Sequence, residues 1–279
     1  MDLDLEKFFD KVNHDVLMDR LSRRIRDKRL LHYIRLMLKA GMMDHGGVCQ
    51  KREQGTPQGG PLSPLLANVL LDDLDRELER RGLPFCRYAD DCMVFVRSWA
   101  AGRRVLAGIT RYLEGVLRLK VNKEKSRVDE VWNCTYLGYI IGKGGRLRIA
   151  PKSVERFKAR VREITKRNRA KRLREVTAEL APVIRGWGNY FKLAAVRELF
   201  HLLDCWIRRR LRCYRLKQCR HPRGIQRFLR SLGCDKKLCG LVARRGRLWW
   251  HCAISRQAHA CMSIKWLRSE GLISLSQLL

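Results

Sequence analysis

Phe85-Cys86-Arg87-Tyr88-Ala89-Asp90-Asp91-Cys92-Met93-Val94-Phe95-Val96 is the stretch on which the reading of this chain turns. Two short strand-like runs flank a polar break, which predicts a hairpin carrying two carboxylates at its tip. Adjacent carboxylates repel unless cations lie between them, and a divalent metal is the usual reason for such a tip. An isolated Asp-Asp pair is more often a solvated turn, so its surroundings decide the matter.

Working outward, Pro64 opens a predicted helix reaching Arg81, with Leu65, Leu66, Val69, Leu70 and Leu74 on one side. Residues 13–40 show apolar positions at helical spacing, as one broken helix or two in succession. Residues 46–60, rich in Gly, Gln and Pro, are expected to form a loop or hairpin. Downstream a helix is expected over 99–118, then a strand pair across 136–141 and 147–149 turning at Gly142, Gly144 and Gly145. Pro151 marks a boundary, beyond which the pattern is helical and basic. The expected organisation is thus 1–150, 151–222, and a tail over 223–279.

Charge points to the partner. The 279 residues include 60 Lys and Arg against 28 Asp and Glu, a formal net charge of +32. Residues 1–150 hold 28 basic and 20 acidic side chains, whereas 151–279 hold 32 and 8. Such a chain repels itself unless a polyanion neutralises it, and nucleic acid does so by releasing counterions. Arg208-Arg209-Arg210 share helical turns with Trp206 and Tyr214, a mixture suited to RNA backbones and unpaired bases. No apolar run approaches the ~18 residues of a spanning helix, and the acidic start is no signal peptide, so a cytoplasmic protein without a membrane partner is expected. Eleven cysteines lack the paired short spacing of structural zinc sites and are expected to be reduced core residues.

Asp4, in Leu3-Asp4-Leu5-Glu6, is the natural third ligand beside Asp90 and Asp91. Few hard carboxylates in a site open to triphosphate suit Mg²⁺, and two such ions ~3.5–4 Å apart can activate a 3′-hydroxyl and stabilise a leaving pyrophosphate. Tyr88-Ala89-Asp90-Asp91 has the Tyr-x-Asp-Asp form of reverse transcriptases. Gln54-Gly55-Thr56-Pro57-Gln58-Gly59-Gly60-Pro61-Leu62-Ser63-Pro64 resembles the preceding motif of the group II intron enzymes, and Asp4-Leu5-Glu6-Lys7-Phe8-Phe9-Asp10 their first catalytic motif. Later, Leu119-Lys120-Val121-Asn122-Lys123-Glu124-Lys125-Ser126 and Tyr136-Leu137-Gly138-Tyr139 resemble the motifs that follow, and Ile184-Arg185-Gly186-Trp187-Gly188-Asn189-Tyr190-Phe191 the maturase signature.

This resemblance to group II intron reverse transcriptases implies an α+β fold: a right-hand polymerase palm, an antiparallel sheet backed by helices, then an α-helical thumb or maturase domain and a small basic helical tail. It implies that Asp4, Asp90 and Asp91 hold two Mg²⁺ ions, with the Leu5 carbonyl as a further ligand. Phe9 would lie under the incoming sugar, or else simply pack in the core. Gln58 and Gly59 would approach the nucleotide, and Lys125, in competition with Lys123, the triphosphate. Tyr88 and the Tyr136-Leu137-Gly138 grip would touch primer and template, and Arg185, Trp187, Arg208, Arg209 and Arg210 intron RNA. The implied partners are intron RNA, an RNA template with a DNA primer, and dNTP. The family carries a fingers region ahead of the first motif, and here three residues precede Asp4. A remnant gene, a misplaced start and a separate fingers-bearing chain are the alternatives. The rival readings are a catalytically silent RNA-binding maturase and a retron or defence-type reverse transcriptase.

Overall fold

The computed structural model describes residues 1–40, 42–43, 49–50, 53–56, 60–194, 196–244 and 248–279, with backbone alone at 42–43 and 49–50. It divides into two compact units, Met1–Tyr136 and Leu137–Leu279.

The first unit starts with β1 (Asp2–Leu3), a short α1 (Phe8–Lys11), α2 (His14–Ser22) and α3 (Lys28–Lys39). Residues 13–40 thus form two successive helices. Each begins where a side chain can satisfy free backbone amides: the Asn13 oxygen accepts from Asp15 and Val16 N–H, and the Asp27 carboxylate from Arg29 and Leu30 N–H. A two-residue pair, β2 (Met42–Met43) with β3 (Cys49–Gln50), follows. Then α4 (Ser63–Arg80) opens on Pro64, whose fixed φ and missing N–H suit a first turn. The decisive hairpin is β4 (Phe85–Tyr88) and β5 (Asp91–Val94), and the sheet order is β1-β5-β4, all antiparallel. Ser98 caps α5 (Trp99–Tyr112), which widens into a π turn at Leu113–Leu117 and stops at Arg118 with φ +53°. The core lies between sheet and helices: Leu3, Cys92 and Val94 meet Leu17 of α2, Leu70, Leu71, Leu74 and Leu78 of α4, and Ile109 and Leu113, all essentially without solvent exposure. Leu-to-Ala changes there cost about 2–5 kcal/mol each.

The second unit opens with the hairpin β6 (Tyr139–Ile141) and β7 (Leu147–Ile149), turning through Gly144 and Gly145 at φ +80° and +77°. Among the described residues seven helices of six or more residues follow: α6 (Pro151–Ile164), α7 (Leu173–Phe191), α8 (Arg197–Gln218), α9 (Pro222–Ser231) and α10 (Lys236–Arg244), then, after the four-residue α11 (Trp249–Cys252), α12 (Arg256–Cys261) and α13 (Ile264–Ser269). The observed division falls at 136/137 and not at 150/151. The reason is hydrophobic: Tyr139, Leu147 and Ile149 pack against Phe157, Val176, Leu180, Phe200 and Ile207 of the helices. Nor does 222/223 separate a tail. Leu267, Leu272 and Leu275 join that same core, and the buried Asp204 of α8 accepts from the backbone N–H of Leu275 (2.8 Å) and Ser276 (3.1 Å). A further cluster unites Cys213 and Leu216 of α8 with Ile225, Leu229, Cys239, Val242, Cys252 and Met262.

Among the described residues no helix is long and apolar enough to cross a membrane. Among the described residues Cys92, Cys134, Cys213, Cys239, Cys252 and Cys261 are buried. Burial pushes the Cys92 and Cys261 thiols up to about 12, as expected of neutral core residues.

Candidate active site

Strand register brings the segments that carry the carboxylates alongside one another. Asp2 pairs with Met93 and Leu3 with Cys92, and Asp4 follows directly after the last paired residue of β1, as Asp91 directly precedes Cys92 on β5. Residues two apart on a strand share a face, and cross-strand partners share it too. Asp2, Asp4 and Asp91 therefore occupy one face, while Leu3 and Cys92 occupy the core face. On its other edge the β1 segment is held by residues 120–127. Asn122 N–H donates to the Asp4 carbonyl (2.9 Å), Asp4 N–H to Ser126 Oγ (3.0 Å), and Asp2 exchanges backbone hydrogen bonds with Arg127 (2.8 and 3.0 Å).

Asp90 and Asp91 follow a strained turn. Tyr88 pairs with Asp91, leaving Ala89 and Asp90 between the strands, and Ala89 takes φ +53°. A non-glycine residue in this region costs of order 1–3 kcal/mol and persists only where its surroundings hold it. Here Arg87 Nη1 donates to the Ala89 carbonyl (2.9 Å) and to Asn68 Oδ1 (2.9 Å), while its Nε and Nη2 form a fork onto Asp75 of α4 (2.7 and 2.6 Å).

The electrostatics are those of crowded anions. Burial, reinforced by Asp2, Asp90 and Asp4, raises the Asp91 pKa above the ordinary carboxylate value. Burial likewise raises that of Asp2, against the pull of Arg127 and with Asp4 adding to it. A set of hard oxygen donors that disfavours its own ionisation fits a divalent cation. As the side chains stand, no three acidic, His or Cys groups among the described residues are close enough to share one ion. The Asp4 carboxylate instead lies 3.5 Å from Lys125 Nζ.

The other expected residues divide as follows. Phe9, half-buried, packs edge-on against the buried Phe8 with centroids 5.2 Å apart, and its carbonyl accepts from Thr56 N–H (2.6 Å). Leu5 is buried and bridges to Val121. Gln58 and Gly59 lie outside the described residues, but the start of their loop is seated firmly. Gly55, at φ +88°, donates to the Val12 carbonyl (2.7 Å), and a Cβ there would come within 2.7 Å of the Asp10 carbonyl. The buried His14 ring meets the Gly55 carbonyl (2.7 Å). Tyr88 is 65% exposed. Tyr136 is half-buried, and burial with Cys86, Asp91 and Cys92 nearby pushes its pKa up to about 12.

In the second unit, Leu137 and Gly138 take φ +50° and +80°, and the Tyr190 hydroxyl donates to the Leu137 carbonyl (2.9 Å). Arg185 is exposed. Trp187 is a packing residue here: its ring stacks on Phe157 (4.4 Å) and meets Phe191 (4.9 Å) and Phe200 (5.7 Å), which departs from the RNA contact expected of it. Arg208 donates to Cys205 Sγ (3.1 Å), Arg209 stacks over Trp250 (3.8 Å), and Arg210 lies over Trp206 (5.3 Å).

Sequence reasoning missed Asp2, Arg87 and Asp75. The two-residue spacing from Asp4 carries a signal for Asp2, and the position of Arg87 just before Tyr88 one for Arg87. Nothing local marks Asp75, which reaches the hairpin only through packing of α4.

Comparison with known proteins places this geometry in a family. Residues 1–141 match the family described as reverse transcriptase (RNA-dependent DNA polymerase), and residues 154–233 the group II intron, maturase-specific domain. Protein YkfC of Escherichia coli K12 is 31% identical over 162 residues, 46% of this chain and 42% of that protein. The group II intron-encoded protein LtrA of Lactococcus lactis subsp. cremoris is 37% identical over 84 residues, 30% of this chain and 14% of that protein. The chain spans less than half the length of either relative. Among solved structures, telomerase from Candida albicans gives a TM-score of 0.44 at 14% identity, over 68% of this chain and 40% of that one. With the family match extending over half its residues, the chain belongs to the reverse transcriptases, and a group II intron maturase-specific domain follows.

Proposed function

We propose that the chain is the palm and maturase portion of a group II intron RNA-directed DNA polymerase, extending a DNA primer with dNTP on an RNA template and binding intron RNA through its second unit. The observation that supports the reading is the β1–β5 register, which pairs Asp2 and Leu3 with Met93 and Cys92 and so runs the segment leading into Asp4 alongside the strand that begins at Asp91. Asp4, Asp90 and Asp91 are the residues that would hold two Mg²⁺ ions. When bound, these supply Lewis acidity to the attacking 3′-hydroxyl and charge neutralisation to the departing pyrophosphate.

The chain's own groups do the rest. Asp90 and Asp91 are held at the hairpin tip by the Arg87–Asp75 fork. Lys125, beside Asp4, balances carboxylate charge and is placed to meet triphosphate oxygens once dNTP arrives. Phe9 lies under the sugar, where a ring face disfavours a 2′-hydroxyl, and Gln58 and Gly59 approach the nucleotide. Tyr88 and Tyr136 serve the primer–template, with Leu137 and Gly138, and the exposed Arg185 and the Arg208–Arg210 run serve RNA. The test is primer extension on an RNA template. Asp90→Asn with Asp91→Asn abolishes extension in this reading, and extension equal to wild type refutes it.

The concentration of positive charge in 151–279, 32 basic against 8 acidic side chains, favours a second reading in which the chain aids splicing as an RNA-binding maturase without polymerising. Splicing with the double Asn protein separates the two roles, because RNA binding alone does not need those carboxylates.

A further inference from the structure

Behind the Arg208–Arg210 run lies a cavity of about 220 Å³ lined by Thr165, Arg167, Arg210, Cys213 and Trp250. Its walls come from the end of α6, from α8 and from α11, all inside the second unit. Its cations are unusual in what holds them. Arg210 Nε donates to the buried Thr165 Oγ1 (2.6 Å) and its Nη2 to the Arg162 carbonyl (3.3 Å). Arg167 Nη1 lies 3.8 Å from Cys213 Sγ, and Arg209 donates twice to the Trp250 carbonyl (3.3 and 3.2 Å) while stacking on that ring. Every one of these acceptors is neutral, and among the described residues Arg167, Arg209 and Arg210 have no carboxylate partner. Burial, with Arg162 and Arg167 adjacent, pushes the Arg210 pKa below its ordinary value.

A half-buried guanidinium without a counter-charge is costly, and a chain that sets two of them, Arg209 and Arg210, on neutral acceptors beside the exposed Arg167 has left the negative charge to a ligand. Size narrows the choice. The cavity is below the ~300 Å³ at which pockets for whole small molecules begin, too little for an enclosed nucleotide but ample for a phosphate group. Arg forks match phosphate oxygens, and the Trp206 and Trp250 rings, each already faced by arginine, extend a stacking surface beside it. We propose that this cavity is a phosphodiester-binding site that seats one backbone phosphate of an unpaired RNA strand. It rests on the RNA-binding reading above and adds a location and a stoichiometry to it.

Oligouridylate, which has no structure to melt, is the probe. Its affinity is measured across a salt series for the wild-type chain, Arg167→Ala, Arg210→Gln and Arg227→Ala. Arg227 is exposed on α9 outside the cavity and controls for loss of one charge. The slope of log affinity against log salt falls by about 0.7 in Arg167→Ala and in Arg210→Gln, the share of one single-strand phosphate, and is unchanged in Arg227→Ala. Because Arg210 also ties α8 to Thr165, its loss could unfold the site. Arg167→Ala, at an exposed residue whose hydrogen bond among the described residues is to the Cys213 thiol, then decides alone at an unchanged melting temperature. A wild-type slope in Arg167→Ala, or an equal fall in Arg227→Ala, overturns the site while leaving RNA binding intact. Failure of the wild-type chain to bind oligouridylate removes the RNA reading and the site together.

Discussion

Arg87 joins three things that lie apart in the sequence: the left-handed Ala89, Asn68 on α4, and Asp75 about two turns further along that helix. Its side chain is 11% exposed and that of Asp75 23%, so the fork is sheltered from solvent, unlike most of the surface ion pairs. Hydrogen bonds to charged groups contribute about 1.5–3 kcal/mol where a partner is left buried. Arg87→Ala is therefore expected to lower the unfolding free energy by about that much in urea titration, and Asp75→Ala by a similar amount. The double variant should lose less than the sum, because each single change already breaks the same fork. Additive losses would show that Arg87 and Asp75 act independently. The aspartates of the hairpin tip were legible from Tyr88-Ala89-Asp90-Asp91 alone; the fork that holds them was not, since no spacing rule links a strand arginine to a carboxylate on a preceding helix.

Helix α4 offers a pH test of its own C-terminal turns. Hydrogen bonds from Arg80 and, against a burial penalty, from Arg81 hold the Glu77 carboxyl down to about 2, from an ordinary 4.5. A depressed folded-state pKa means that the stabilisation is present above 4.5 and is lost as pH falls through about 2. The difference in urea midpoint between wild type and Glu77→Gln should be constant near neutrality, shrink below pH 4.5 and vanish near 2. A difference that is flat over that interval would mean that Glu77 is not ionised against these arginines. In α7, Gly188 sits where an added Cβ would come within 2.5 Å of Leu278 Cδ1 and 3.0 Å of Leu275 Cδ2. Gly188→Ala should cost about 1–3 kcal/mol by overpacking, while Gly186→Ala on the same helix, with open space around it, should not destabilise; equal melting temperatures for the two would contradict the packing. The helices themselves were legible from apolar spacing and from Pro64, whose position at a helix start the structure bears out. Their grouping was not. Whether the 139–149 hairpin joins the preceding sheet or the following helices depends on which apolar face it covers, and alternation along two strands of three residues does not say.

Over the whole chain, acidic and basic residues are segregated by role. Carboxylates gather on one face of a three-stranded sheet, where burial and neighbouring aspartates raise the pKa of Asp2 and Asp91, while the second unit carries arginines on neutral acceptors. Both halves are electrically incomplete by themselves, the first wanting cations and the second a polyanion. The central claim is that the start of the chain and the Asp90-Asp91 tip act as one metal site. Mn²⁺ standing in for Mg²⁺, followed by electron paramagnetic resonance in the free and bound ion, measures this without any need for polymerase turnover. Asp4→Asn is expected to weaken Mn²⁺ binding to the same degree as Asp91→Asn, since each removes one wall of a shared site. Wild-type Mn²⁺ affinity in Asp4→Asn, alongside a loss in Asp91→Asn, would contradict it.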